Sequence, residues 1–337
     1  MLKTNPLCST LSSIGLLFFA TLTSSTVIAS EKLCAIYPHL KDSYWLSVNY
    51  GMVLAAQKLN VELRVLEAGG YPNVTKQQQQ LQQCRQWGAQ AILLGTVDSH
   101  AFYDDLQRWS GEVPVFATVN QLVLDEHQRP QLKGSVGVDW YWMGYQAGHY
   151  LATKHPAGSG VVQVALLLGP NNRGGTKPVE QGFNAAIQDS DVKVMVHFSA
   201  DNDKELQRNL VQQVIETQTI DYIVGSAVAI EAAISELRSS GKSQQIGLVS
   251  TYLSHGVYRG LLRHKVEFAP TDQMVKQGRL SVEQAVQFLR SAPYKQTLSP
   301  DIQPLTPDTL EISTIEDSLS PSAYRPTFHV KAVESQP

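Results

Sequence analysis

The sequence is short of the features that mark most enzymes and nucleic-acid binders. It contains no G-x-S-x-G elbow for a serine hydrolase, no H-E-x-x-H, and no Cys/His spacing suited to a metal. His149 and His155 stand six apart, off a common helix face, and the other histidines are scattered singly. Lys and Arg number 27 against 30 Asp and Glu, giving a net charge of -3 and no basic field for a nucleic-acid backbone. The stretch "GPNNRGGTK" has the glycine spacing of a phosphate loop, but Gly175 stands where the essential lysine belongs. These absences leave catalysis, a cofactor or a metal without support, and do not exclude an enzyme.

Cysteine is scarce as well, with only three in 337 residues. Cys8 falls in "MLKTNPLCSTLSSIGLLFFATLTSSTVIAS", where a lysine precedes an apolar stretch that ends in small residues. Residues 1–29 therefore read as a secretory signal peptide cleaved near Ala29, too short and too Ser/Thr-rich to span a membrane. Cys8 precedes the apolar stretch, which disfavours a lipid anchor. The mature chain is expected in the periplasm, neither embedded in a membrane nor bound to nucleic acid. Its remaining cysteines, Cys34 and Cys84, then meet an oxidising compartment, where a disulfide is the default. Cys34 opens the first strand and Cys84 ends the helix after the second, so both fall at the same edge of a parallel sheet.

Short runs rich in Val, Ile and Leu alternate with helical patterns throughout. Strands are predicted from "KLCAIYP" through "VELRVLEA", "AQAILLGTV", "VPVFATVN" and "GSVGVDW" to "KVEFAPTD", and helices over 44–59, 74–87, 142–153, 177–187, 204–216, 229–239 and 273–289. The pattern is α/β, two doubly wound Rossmann-like lobes joined by a hinge. One lobe takes residues 31–138 and 267–295; the other takes 139–266, with the Pro-rich tail 296–337 assigned to it. In such sheets a ligand sits beyond the carboxyl ends of the strands, so the loops there are the places to search.

The segments "TIDYIVGSAVAIEAAISELRSSGKSQQIGLVSTY" and "VEFAPTDQMVKQGRLSVEQAVQFL" resemble the strand-helix-strand unit and the return crossing of periplasmic binding proteins of the ribose-binding and LacI-like class. A sugar site needs a polar partner for every buried hydroxyl, because each one left unmet costs about 1–3 kcal/mol. This chain departs from that pattern. Its strand-end loops carry Tyr44 and Trp45, Tyr71, Trp140 and Tyr252, five rings from four strand ends. Such rings suit a compact methylated or cationic ligand, as in cages for quaternary ammonium groups. Asp42 or Asp139 could add a negative charge, and Asp42 stands equally where the N-cap of the following helix belongs.

Further segments, "KLCAIYPHLKDSYWLSVNYGMVLAA", "VLEAGGYPN", "CRQWGAQAILLG", "VGVDWYWMGYQAG", "ADNDKELQRNL" and "SLSPSAYRP", resemble the trimethylamine N-oxide sensors within that class. The resemblance implies a receptor that binds trimethylamine N-oxide and signals to the periplasmic domain of a membrane histidine kinase, with no cofactor. The alternatives are a sugar-like solute receptor feeding a transporter or chemosensor, and a secreted enzyme on the same scaffold.

Overall fold

The computed structural model describes residues 1–2, 30–171 and 174–333. All but the first two residues of the expected signal peptide lie outside the described residues. The compact unit Ser30–Glu334 carries the fold.

Its first part alternates β1 (Lys32–Tyr37), α1 (Ser43–Leu59), β2 (Glu62–Glu67), α2 (Val74–Gln86), β3 (Ala91–Leu94), α3 (Leu106–Ser110), β4 (Val115–Thr118) and β5 (Leu132–Val136). The second runs α4 (Trp140–Lys154), β6 (Val162–Leu168), α5 (Thr176–Ile187), β7 (Val192–Ser199), α6 (Lys204–Thr217), β8 (Tyr222–Gly225), α7 (Ala227–Ser239), β9 (Gly247–Ser250) and α8 (His255–Leu262). The chain then returns through β10 (Ala269–Thr271) and α9 (Met274–Leu289), and ends in β11 (Thr297–Leu298), β12 (Gln303–Leu305), α10 (Ile312–Ser318) and β13 (His329–Val330).

Two largely parallel sheets result. The first has the order β11-β5-β4-β3-β1-β2-β13 and the second β7-β6-β8-β9, while β10 and β12 form a separate antiparallel ladder. β1, β3 and β4 bury nearly every residue, as strands covered on both faces by helices must. Every strand predicted from the apolar runs forms; the helices open one to two residues earlier where a cap supplies the reason. Asp139 accepts the Tyr141 N–H, so α4 starts at Trp140, and Ser226 accepts the Ala229 N–H, so α7 starts at Ala227. The short α8, between β9 and β10, has no counterpart in the sequence reading.

The tail differs from expectation. Residues 296–337 were assigned to the second lobe, but β11 adds to β5, with Thr297 opposite Ser135, and β13 adds antiparallel to β2, with Val330 opposite Leu63. Both are edges of the first sheet, whose open backbone groups the tail satisfies. Asn49, buried on α1, fixes the approach: its amide donates to the Thr327 carbonyl at 3.1 Å and accepts from the Tyr324 hydroxyl at 2.6 Å. Tyr50 meets Tyr324 with ring centroids 5.0 Å apart.

Cys34 and Cys84 are joined in a disulfide, their Cα atoms 5.7 Å apart. The bond ties the interior strand β1 to α2, inside an apolar cluster with Ile36, Leu81, Ile92 and Leu94.

Candidate functional site

The carboxyl ends of β1, β2, β5 and β9 converge, and each brings an aromatic side chain. α1 starts immediately after the β1 loop because the Asp42 Oδ1 accepts the N–H groups of Tyr44 at 3.1 Å and Trp45 at 3.2 Å. The Asp42 carboxylate is thus engaged at the helix N-terminus, the second of its two readings, while its other oxygen lies 3.9 Å from His39 Nε2.

Capping sets the direction of the next two side chains. The Trp45 indole is 1% exposed, stacks on Tyr37 at 5.4 Å, and donates its Nε1–H to the Tyr71 hydroxyl at 3.3 Å. Tyr44 points the other way, edge-on to Tyr252 with centroids 5.6 Å apart and 6.2 Å from Trp140. Trp140 and Tyr252 are themselves 6.3 Å apart at 89°, and Tyr44 and Trp45 6.0 Å apart. These spacings fall in the range of favourable edge-to-face pairs. All five predicted rings meet in one buried set, none more than 5% exposed.

Neighbouring backbone makes room for the two indoles. A Cβ on Gly95, just past β3, would lie 2.4 Å from the Trp45 ring; one on Gly175, the residue before α5, would lie 2.9 Å from the Trp140 ring. Gly175, conspicuous in the sequence as the failure of a phosphate loop, is therefore the floor beneath Trp140.

Sequence reasoning missed the acid. Asp272, fully buried just past β10, accepts the Tyr44 hydroxyl at 2.5 Å and the Gln277 amide at 2.8 Å. It sits in "APTDQM", one of the strand-end loops, but the aromatic pattern that singled out the other positions gave no reason to choose an aspartate there. Tyr37 was also missed: it finishes β1 as predicted, yet supports Trp45 from beneath, donating its hydroxyl to Met52 Sδ at 2.9 Å. Burial pushes that hydroxyl's pKa well up, so it stays a neutral donor.

A cleft of about 460 Å³ adjoins the ring set, with Tyr44 and Tyr252 in its wall and Lys41, Asn202, Glu231 and Arg259 around it. Its lining comes from both sheets' loops. Hydrogen bonds join the two sides here: the His255 N–H donates to the Ser43 hydroxyl at 3.1 Å, and the His255 ring meets the Ser320 carbonyl at 2.7 Å.

Two α/β sheets whose strand ends face one aromatic pocket are the architecture of a solute receptor. The model of periplasmic binding proteins and the sugar binding domain of the LacI family matches residues 30–302. The chain belongs to this family. Within it, the periplasmic protein TorT of Escherichia coli strain K12 is 46% identical over 312 residues, 91% of this chain and 88% of that protein. TorT of Escherichia coli O157:H7 is 47% identical over 298 residues, 88% of this chain and 84% of that one. Two crystal structures of a TorS sensor domain–TorT complex, one without ligand and one with TMAO, hold a chain 68% identical to this one, with a TM-score of 0.85, covering 89% of this chain and all of that one. A solute binding protein of an ABC transporter from Bradyrhizobium sp. BTAi1, with bound bis-tris, is 33% identical at a TM-score of 0.75, covering 90% of each chain.

Family membership makes the chain one of the type I periplasmic binding proteins, which bind solutes rather than transform them.

Proposed function

We propose that this chain is a periplasmic receptor for trimethylamine N-oxide that reports occupancy to the periplasmic sensor domain of a TorS histidine kinase. The observation that carries the reading is the meeting of five rings from four strand ends, with Asp272 behind Tyr44.

The ligand is a positive nitrogen wrapped in three methyl groups beside a negative oxygen. Its methyl surface is matched by ring faces, with cation–π attraction strengthened by desolvation. Its oxygen accepts hydrogen bonds only, and the ring set is rich in donors: the Trp140 indole N–H and the hydroxyls of Tyr71 and Tyr252. A sugar would bring several hydroxyls to walls that are mostly ring, and each unpaired one would weaken binding. Trp45, Trp140, Tyr71, Tyr252 and Tyr44 form the binding set, and Asp42 contributes by holding the helix end that aims two of them.

The lobes, residues 31–138 with 267–295 and residues 139–266, close on the ligand because rings from both sides gain contact only when closed. Differential affinity for the closed form shifts the population the kinase reads.

Calorimetry of the mature protein tests this. Micromolar-range binding of trimethylamine N-oxide with none for ribose or galactose supports the reading; the reverse pattern overturns it.

A further inference from the structure

One histidine beside the ring set stands out by what it does not bind. His39 lies in the loop between β1 and α1, two residues past the strand, and is 2% exposed. Among the described residues, neither of its ring nitrogens has a hydrogen-bond partner. Asp42 Oδ2 is 3.9 Å from Nε2, beyond hydrogen-bond reach, while Asp42 Oδ1 holds the N–H groups of Tyr44 and Trp45. A buried polar group without a partner weakens the empty fold, a cost that an apolar side chain of similar size at this position would not carry.

The loop that carries the ring is pinned on both sides of it. The Pro38 carbonyl accepts the Gly70 N–H at 2.8 Å, and the Leu40 N–H donates to Glu67 Oε2 at 3.2 Å. Both bonds run to the end of β2 and the loop after it, which also carries Tyr71. The imidazole meets the Tyr71 ring edge to face, with centroids 5.5 Å apart at 78°. Tyr71 in turn accepts the Trp45 indole N–H inside the ring set, and Asp42 lies in the wall of the adjoining cleft. His39 is thus fixed between the ring set and the cleft, at the carboxyl end of the first sheet, where such folds place their ligands.

An imidazole carries at least one N–H, and in the neutral ring the hydrogen goes to the nitrogen that faces an acceptor. The oxygen of an amine oxide has lone pairs and no hydrogen, so it takes hydrogen bonds and offers none. Resting on the receptor reading above, we propose that His39 is a further ligand-binding residue, which gives a ring N–H to the oxide oxygen and so selects an oxygen-bearing methylated nitrogen over a bare quaternary ammonium. The imidazole gains its partner only when the site is filled, so it favours the occupied state over the empty one. With the loop already pinned, little freedom is lost when the bond forms.

The test is calorimetry of the mature protein and three variants with trimethylamine N-oxide and with tetramethylammonium, alongside thermal melts without ligand. His39→Phe keeps a ring edge against Tyr71 and removes both nitrogens; His39→Leu removes them with less added volume; His39→Gln keeps an N–H. Trimethylamine N-oxide should bind about tenfold more weakly to the two apolar variants and within about threefold of wild type to His39→Gln, with His39→Leu melting no lower than wild type. Tetramethylammonium has the methyl groups and the charge without the oxygen, so its binding should be the same in all four proteins. Unchanged affinity of the apolar variants for trimethylamine N-oxide overturns the proposal. An equal loss of both ligands with a lower melting temperature overturns it too, by making His39 a packing residue. A wild-type protein that binds no trimethylamine N-oxide overturns instead the receptor reading on which this rests.

Discussion

The Tyr44 hydroxyl donates to the Asp272 carboxyl at 2.5 Å, joining the first turn of α1 to the loop after β10 across 228 residues of sequence. One partner comes from the helix that follows β1, the other from the return crossing, so the bond fixes a ring of the buried aromatic set to the element that links the two sheets.

Tyr44→Phe keeps the ring and removes the donor. Trimethylamine N-oxide binding should weaken by about tenfold, the size of one hydrogen bond to a charged group, with a lower melting temperature in the absence of ligand. Calorimetry and thermal melts read the two effects separately, and an unchanged dissociation constant would show that the bond forms equally in open and closed protein.

Gly95→Ala and Gly175→Ala each place a methyl group under an indole, at 2.4 Å from Trp45 and 2.9 Å from Trp140. The rings must tilt, so ligand affinity should fall by tenfold or more, while overpacking costs about 1–3 kcal/mol of stability. Trp140→Ala provides the reference, with binding lost and the fold kept. Glycine variants that bind as well as wild type would place the ligand away from these two rings.

Cys34 and Cys84 lie 50 residues apart in sequence. Closing a loop of that length is worth roughly 4 kcal/mol on the chain-entropy model. Mass spectrometry without reductant should find the two linked, and Cys84→Ser should lower the urea midpoint accordingly; equal midpoints with and without reductant would contradict a stabilising bond.

His155, at the end of α4, has its pKa lowered from 6.5, first by burial and then by the charge of Lys154, against the opposing pull of Glu267 and Asp221. Its ring also meets the Tyr222 hydroxyl at 3.2 Å. The unfolded chain therefore takes up the proton more readily than the folded one. The contribution is present above pH 6.5 and is lost as pH falls below it towards the folded-state value. Denaturant midpoints measured between about pH 7.5 and 5 should fall more steeply for wild type than for His155→Gln, and parallel curves would remove this residue from the account.

The fold was legible because buried parallel strands leave continuous apolar runs, and from β1 to β10 those runs mark the strands directly. The tail was not, because β11 and β13 are two residues each and take their structure from edges far away in sequence. At the site, large rings beyond strand ends are conspicuous, since a soluble loop seldom has use for them. Asp272 is not, for an aspartate after a strand ordinarily caps a helix or faces water; its burial against Tyr44 and Gln277 is set wholly by tertiary packing. Gly95 and Gly175 carry no side chain to betray that a tryptophan lies on them. Asp42 carried two readings at once, and only the positions of the Tyr44 and Trp45 amides distinguish them.

The strand that closes the first sheet, β13, lies beside β2, from which it is far removed in sequence. Without residues 324–330 the β2 edge would be open and Asn49 would lose its tail partners. The same dependence makes C-terminal truncation costly at the opposite end of the polypeptide, where an uncovered strand edge would be free to pair with another molecule.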